Sequence, residues 1–284
     1  MLLVDGLGIG PEDAALNPVH GGACPAIERL IREQAVPVDT TMAVSGLPQS
    51  ATGQTALLTG VNAAEIMGRH VEAFPGPRLK EVIRGHNVYD KLQARGYRST
   101  FANAYYLDDV REVAARRIQS VTTVAALQAF GAVRTQSAMV ANQAVYHDLT
   151  RACLRERGYE GPLVTPEDAA QHLIGIAREY DFTLFEYFQT DRMAHKGTAE
   201  QVATVLRDLD RLVAGLLAGQ DPSEELLVLT SDHGNIEDNR VTQHTLNPVP
   251  LIAVGLGAES LRRQVRAITD VVPALLTLYP PKGG

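Results

Sequence analysis

Tryptophan is absent from this 284-residue chain, cysteine occurs only twice, and aromatic residues make up 5% of it. Two thiols, Cys24 and Cys153, are too few for a disulfide framework, and neither sits in a C-x-x-C spacing. That excludes a thiolate zinc ribbon and a dithiol redox motif, and both cysteines read as ordinary buried thiols. Long hydrophobic runs are missing as well. The longest, at 226–229 and 249–254, fall far short of the roughly 18 residues a membrane span needs. The opening MLLVDGLGIG has no basic n-region and no apolar core leading to a cleavage site, so a cytoplasmic protein is expected. A basic surplus is also lacking. The formal net charge of −7 argues against nucleic acid as a partner, because sequence-independent binding to phosphate needs excess Lys and Arg. An anionic substrate must therefore be met by a local positive charge, for which bound cations are the leading candidate.

What is present is the composition of a globular protein, 45% hydrophobic and 21% charged. Leu2 to Val4 reads as a buried strand that delivers Asp5 into a Gly-rich loop. The chain opens directly on this strand, which leaves room for a start further upstream in the gene. A helix is expected over 26–34, and another from near Ser50–Gly53, after the turn-forming GLPQ. Strands are expected at 97–104, 182–188, 226–229 and 250–254, with helices over 199–217 and 270–278. The interval 105–180 is Ala-, Gln- and Arg-rich with helical periodicity, and Thr165-Pro166-Glu167-Asp168 is a helix start within it. The expected architecture is α/β: a mostly parallel sheet with helices on both faces, formed by 1–104 and 181–284, with a small inserted helical cap at 105–180.

Acids and imidazoles gather at the ends of these strands. Asp191 and His195 are four residues apart, hence on one face of a helical turn. Asp232 and His233 leave the sheet at the end of a buried strand, and His244 lies just before the next. With Asp5 they make three carboxylates and three imidazoles, the ligand count of two divalent ions. Mixed N/O donors without thiolate suit Mn or Zn; Mg fits less well, since imidazole is a poor ligand for it. Small hydroxyl residues Ser50, Thr52 and Thr55 fall where a helix begins, a position suited to phosphate.

Four separated segments, DGLGIG, D-x-x-x-H-K-G, TSDHGN and HTLNPVPLIAVG, resemble motifs of the alkaline phosphatase superfamily. Within it they are most similar to the metal-binding phosphatase domain of cofactor-independent phosphoglycerate mutases and phosphopentomutases, in the same order. The resemblance implies one ion held by Asp191, His195 and His244, and a second by Asp5, Asp232 and His233, with the nucleophile bridging. The family's nucleophile is followed by Gly three and ten residues on; Ser50, with Gly53 and Gly60, has both spacings, and Thr55 and Thr52 are the alternates. Gly53, Gln54, Lys196 and Arg192 are candidate substrate contacts. The cap arginines Arg111, Arg116, Arg117 and Arg134 read first as a solvated face.

Two departures bear on the reaction. The mutases carry a large second domain between nucleophile and D-x-x-x-H, where this chain has only a small cap, and the family's usual His after the nucleophile-motif Gly is Gln54 here. A small cap is less able to retain a dephosphorylated intermediate. The leading expectation is a two-metal phosphohydrolase, acting on a small phosphorylated mono- or diester through phosphoserine. A phosphomutase is the alternative. A non-catalytic metal-binding protein comes last, because every expected position carries a competent residue, and the sulfatase motif C/S-x-P-x-R is absent at Ser50.

Overall fold

The computed structural model describes residues 1–283. Six strands, β1 (Leu2–Val4), β2 (Val36–Val38), β3 (Ser99–Phe101), β4 (Phe182–Tyr187), β5 (Leu226–Thr230) and β6 (Val249–Gly255), form one sheet in the order β2-β6-β5-β1-β4-β3. The short apolar runs read as strands because both faces are covered, so alternate side chains enter opposite cores. Leu3, Leu184, Val228 and Leu251 point to one core, Leu2, Val4, Phe185, Leu229 and Ile252 to the other. The first core is closed by helices Ser50–Thr59, Pro77–His86, Val121–Phe130 and Val271–Thr277, the second by Pro25–Gln34, Pro166–Ala177 and Ala199–Gly219. The sheet is mostly parallel with helices on both faces, as expected.

The exception in strand direction matters for the site. β1 runs parallel to β4 and β5, so Asp5, Asp191 and Asp232 all follow strands that end at one edge. β6 is antiparallel to β5, pairing Leu226 with Gly255 and Leu229 with Ile252. Its start therefore lies at the edge where β5 ends, and His244, which precedes its strand, reaches the same place as residues that follow theirs.

The interval 105–180 divides between two roles. Helix Val121–Phe130 packs into the first core and Pro166–Ala177 into the second, so both belong to the layers flanking the sheet. The roof over the strand ends is the remainder, with its own small core of Ala104, Met139, Ala144, Tyr146, Leu154 and Tyr159. The sequence reading of a helical cap followed composition, and the apolar Val121–Ala126 run carried no mark separating a roof from a layer. The strand expected at 97–104 is shorter, Ser99–Phe101, because the chain beyond it bridges to the roof at Val145 and Arg134. Cys24 is buried, whereas Cys153, expected to be, is exposed on a turn of the roof. No helix among the described residues is long and apolar enough to cross a membrane.

Helix Ala199–Gly219 begins with a capping box between Thr198 and Gln201 and buries Leu206, Leu209, Leu212, Val213 and Leu216 at helical spacing. Leu209 has no exposed surface. Leu209→Ala should cost about 2–5 kcal/mol, read from the urea unfolding midpoint. A loss under about 1 kcal/mol would contradict this packing.

His147 of the roof lies between the rings of Tyr146 (centroids 4.2 Å apart) and Phe188 (4.6 Å), with the Gln189 amide donating to Nδ1 at 2.7 Å. Burial, aided by Arg192 and Arg157, pushes its pKa down to about 4. Between pH 6.5 and 4 the unfolded chain therefore binds a proton that the folded one does not. The stability held by neutral His147 is complete above pH 6.5 and is lost as pH falls towards 4, by about 3 kcal/mol at most. His147→Phe should lose less stability than wild type between pH 7 and 4.5; equal losses in urea titrations would refute this.

Candidate metal centre

Asp191 and His195 lie one turn apart on helix Gln189–Lys196, with Oδ1 and Nε2 3.4 Å apart. His244 Nε2 is 3.4 Å from the same oxygen and 3.0 Å from His195 Nε2. The outer nitrogens define the tautomers: His195 Nδ1 faces Thr242 O at 2.7 Å and His244 Nδ1 faces Pro48 O at 2.8 Å. A carbonyl only accepts, so each Nδ1 holds the proton and each Nε2 presents a lone pair. Two lone pairs and a carboxylate oxygen facing one another repel until a cation sits among them.

The second group lies deeper. His233 Nε2 is 3.2 Å from Asp5 Oδ1 and 3.6 Å from Asp232 Oδ2, and all three side chains are buried. One oxygen of each carboxylate has a donor: Gln54 Nε2 reaches Asp5 Oδ2 at 3.2 Å, and Gly6 N reaches Asp232 Oδ1 at 3.4 Å. The other two, Asp5 Oδ1 and Asp232 Oδ2, have no hydrogen-bond partner. Burial, then repulsion from Asp232 and Asp191, drives the Asp5 pKa well above the carboxylate range. Bare buried anionic oxygens beside an imidazole fit a divalent cation, which removes the cost of burying charge alone. The ligand atoms of Asp5, Asp232 and His233 lie within 4.8 Å of one another, as do those of Asp191, His233 and His244. His233 thus belongs geometrically to both groups, and its ring stacks on His244 at 3.7 Å.

Ser50 is the first residue of helix Ser50–Thr59, and its Oγ lies 3.0 Å from His233 Nε2, beside the deeper group. The alternates point elsewhere. Thr55 Oγ1 donates to Ala51 O at 2.6 Å inside the helix. Thr52 Oγ1 donates to Gln49 O at 3.1 Å and accepts from Val71 N at 3.2 Å, tying down a neighbouring loop. Two and five residues along the helix, at about 100° of rotation per residue, both face away from His233, so Ser50 is the hydroxyl of the three that lies beside it. Gly53, expected as a phosphate donor, directs its N–H to Gln49 O at 2.8 Å; it is glycine because a Cβ would meet Asp232 O at 2.6 Å.

Arg192 and Lys196 line a cavity of about 610 Å³ that opens from Asp5, Ser50 and Asp191 towards the roof, and Arg116 and Gln54 line it as well. The other cap arginines are engaged elsewhere or stand outside it. Arg111 pairs with Asp109 at 2.7 Å, Arg134 braces Phe101 O and Thr100 Oγ1, and Arg117 is exposed away from the cavity.

Three acids or amides escaped the sequence reading. Asn235 Nδ2 donates to Asp191 Oδ1 at 2.8 Å. Glu186, buried in β4, accepts from Thr122 Oγ1 at 2.5 Å, and burial lifts its pKa to about 7; an acid within FTLFEYF was a signal available to be read. Glu237 had no such signal. Its Oε2 accepts from Gly8 N at 2.9 Å and Asn235 N at 2.7 Å, and its Oε1 from Asn247 Nδ2 at 3.0 Å and from Thr245 Oγ1. A Cβ on Gly8 or Gly234 would come within 2.4 Å of this carboxyl, which accounts for glycine in both motifs. Glu237→Gln should weaken Mn(II) binding by about 10–100-fold in calorimetric titration, the range for partners that orient metal ligands. Unchanged affinity would refute the role of Glu237 in holding the ligand loops.

A family model described as the Metalloenzyme superfamily matches residues 1–277. A 2,3-bisphosphoglycerate-independent phosphoglycerate mutase of a Synechococcus species is 30% identical over 144 residues, covering 42% of this chain and 27% of that protein. The chain spans about a quarter of the length of the curated relatives it matches. Among solved structures it is similar to the PH0037 protein from Pyrococcus horikoshii, with TM-score 0.62 and 14% identity over 100% of this chain and 96% of that one. An alkaline phosphatase from the Antarctic bacterium TAB5 aligns with TM-score 0.51 and 13% identity over 98% and 96% of the two chains. At these identities the likeness is one of fold. Since the family match runs from the strand that leads into Asp5 to past His244, this chain belongs to the Metalloenzyme superfamily.

Proposed function

We propose that the protein is a phosphohydrolase, dependent on divalent metal, that cleaves small phosphate esters through a phosphoserine at Ser50. The observation that carries this reading is the Ser50 hydroxyl, 3.0 Å from His233 Nε2 at a helix start and beside bare carboxylate oxygens. Asp191, His195 and His244 would hold one ion and Asp5, Asp232 and His233 the other. When bound, the ions supply the positive charge that lowers the cost of a serine alkoxide and of the developing charge on the leaving oxygen. The nitrogen and oxygen donors favour Mn or Zn over Mg.

Ser50 Oγ attacks phosphorus in line with the leaving oxygen, forming the Oγ–P bond as the ester P–O bond breaks. The helix start adds the positive end of its dipole beside Ser50, its Ala51 and Gly53 N–H groups being held by Val71 O and Gln49 O. Gln54 keeps Asp5 oriented, and Asn235 does the same for Asp191. Water then cleaves the Oγ–P bond, releasing phosphate and restoring Ser50.

The second reading is a phosphomutase, favoured by the name of the Synechococcus relative. Hydrolysis ranks ahead because the roof over Ser50 is small, so water reaches the phosphoserine. With Mn(II) or Zn(II) present, wild type should release phosphate from phosphomonoesters, and Ser50→Ala should lose about 10³-fold or more of that rate. Trapped enzyme should carry one phosphoryl group on Ser50, read by peptide mass spectrometry. Interconversion of phosphate isomers without phosphate release would overturn hydrolysis in favour of the mutase.

A further inference from the structure

The cavity beyond Ser50 holds more than a phosphate needs. Its volume of about 610 Å³ lies in the range of sites for drug-sized ligands. Six of the chain's fifteen Phe and Tyr residues line it: Phe74, Phe101, Tyr105, Tyr106, Tyr146 and Phe188. Phe74 is 51% exposed, an apolar ring left at the rim of a polar site. Aromatic residues this scarce, gathered on one cavity with Phe74 exposed, Tyr105, Tyr106 and Phe188 half-buried, and Phe101 and Tyr146 buried behind them, mark a surface for a planar ring.

The charges are arranged to match. Arg116, Arg157, Arg192 and Lys196 also line the cavity, and none forms a salt bridge among the described residues. Arg157 is held over the Tyr106 ring, 4.8 Å from its centroid, and donates to Tyr106 O and Tyr146 OH, so its guanidinium is already placed. The lining acids, Asp5, Glu186 and Asp191, sit at the floor. Four unpaired cations in a chain of net charge −7 call for an anion besides the phosphate under attack.

The neutral polar groups argue against a polyol. Asn103 gives both amide atoms to the Glu186 backbone, at 2.7 and 2.8 Å. Ser120, Thr123 and Tyr105 hydrogen-bond among themselves. Little remains among them to select a substrate by its hydroxyls, so the hydroxyls of a sugar or glyceryl group, a ribose included, would add little beside a ring and a charge.

We propose that the leaving group carries both a planar aromatic ring and a second anion, so that the substrate is a nucleoside diphosphate cleaved at its terminal phosphoryl group. This rests on the hydrolase reading for the chemistry, and on the cavity alone for the specificity. Ser50 Oγ bonds to the terminal phosphorus, the bridging P–O bond breaks, and the nucleoside monophosphate leaves with its electron pair. Water then gives inorganic phosphate, and one proton goes to solvent. The ring lies on the aromatic lining, and the remaining phosphate meets the arginines.

Phosphate release by the Mn-loaded protein separates the two features. A nucleoside diphosphate should exceed phenyl phosphate and pyrophosphate, which carry one feature each, and these should exceed glycerol phosphate. Phe74→Ala should lower kcat/KM for ring-bearing substrates about 10-fold more than for glycerol phosphate, and Arg116→Ala should discriminate likewise between the diphosphate and phenyl phosphate. Equal kcat/KM across the panel, or losses in the variants that ignore ring and charge, would overturn the proposal. Calorimetry on Ser50→Ala provides a readout apart from turnover: a nucleoside monophosphate, the leaving group itself, should bind about 10-fold tighter than ribose 5-phosphate, with the difference lost in Ser50→Ala/Phe74→Ala. If no ester releases phosphate while this preference persists, the hydrolase reading fails and the ligand class stands; if phosphate is released but the preference is absent, the reverse holds.

Discussion

Glu237 has no exposed surface, and a carboxylate so placed is costly unless its oxygens are fully used. Here they accept from the loop after β1, from the loop after β5, and from the segment leading into β6. Those are the loops that carry Asp5, Asp232 with His233, and His244. The three strands would converge without this anchor, but their loops would be free to choose among many turns. Glycines at 8 and 234 are the steric counterpart, since larger residues would displace the carboxyl from between the loops.

Charge is distributed against the overall sign of the molecule. Acids collect at the floor, where Asp5 and Asp232 each leave one oxygen bare, and basic side chains collect at the rim. Burial shifts Asp5 and Glu186 upward, which expresses how strongly the floor calls for positive charge. The stacked His233 and His244 rings bring the two ligand groups into contact, and the Ser50 hydroxyl lies beside His233 where they meet.

Most of the sheet was legible because buried parallel strands leave continuous apolar runs; Leu2–Val4 and 226–229 are such runs, and 182–188 is broken only by Thr183 and Glu186. The six metal-ligand candidates were legible for a related reason: they stand at the ends of those runs. What was not legible depends on packing between distant segments. That Ser50, and not Thr52 or Thr55, lies beside His233 follows from the angular position of each on one helix, seen only once the chain is folded. Helix Val121–Phe130 has the composition of a roof helix but lies against the sheet layer. Glu237 looks like any loop acid until the loop after β1 and the segment leading into β6 are folded onto it.

Each ligand group draws on segments far apart in the chain, one spanning residues 5 to 233 and the other 191 to 244. No fragment shorter than that span presents both sets of donors, and the unfolded chain presents neither. Ion binding at these groups would thereby be linked to the global unfolding transition, raising its free energy by RT ln(1 + [ion]/Kd), whereas fraying of the edge strands β2 and β3 would draw nothing from it. Ions held there would act as thermodynamic fasteners for the central strands, their concentration setting how tightly the segments around residues 5 and 191–244 are joined.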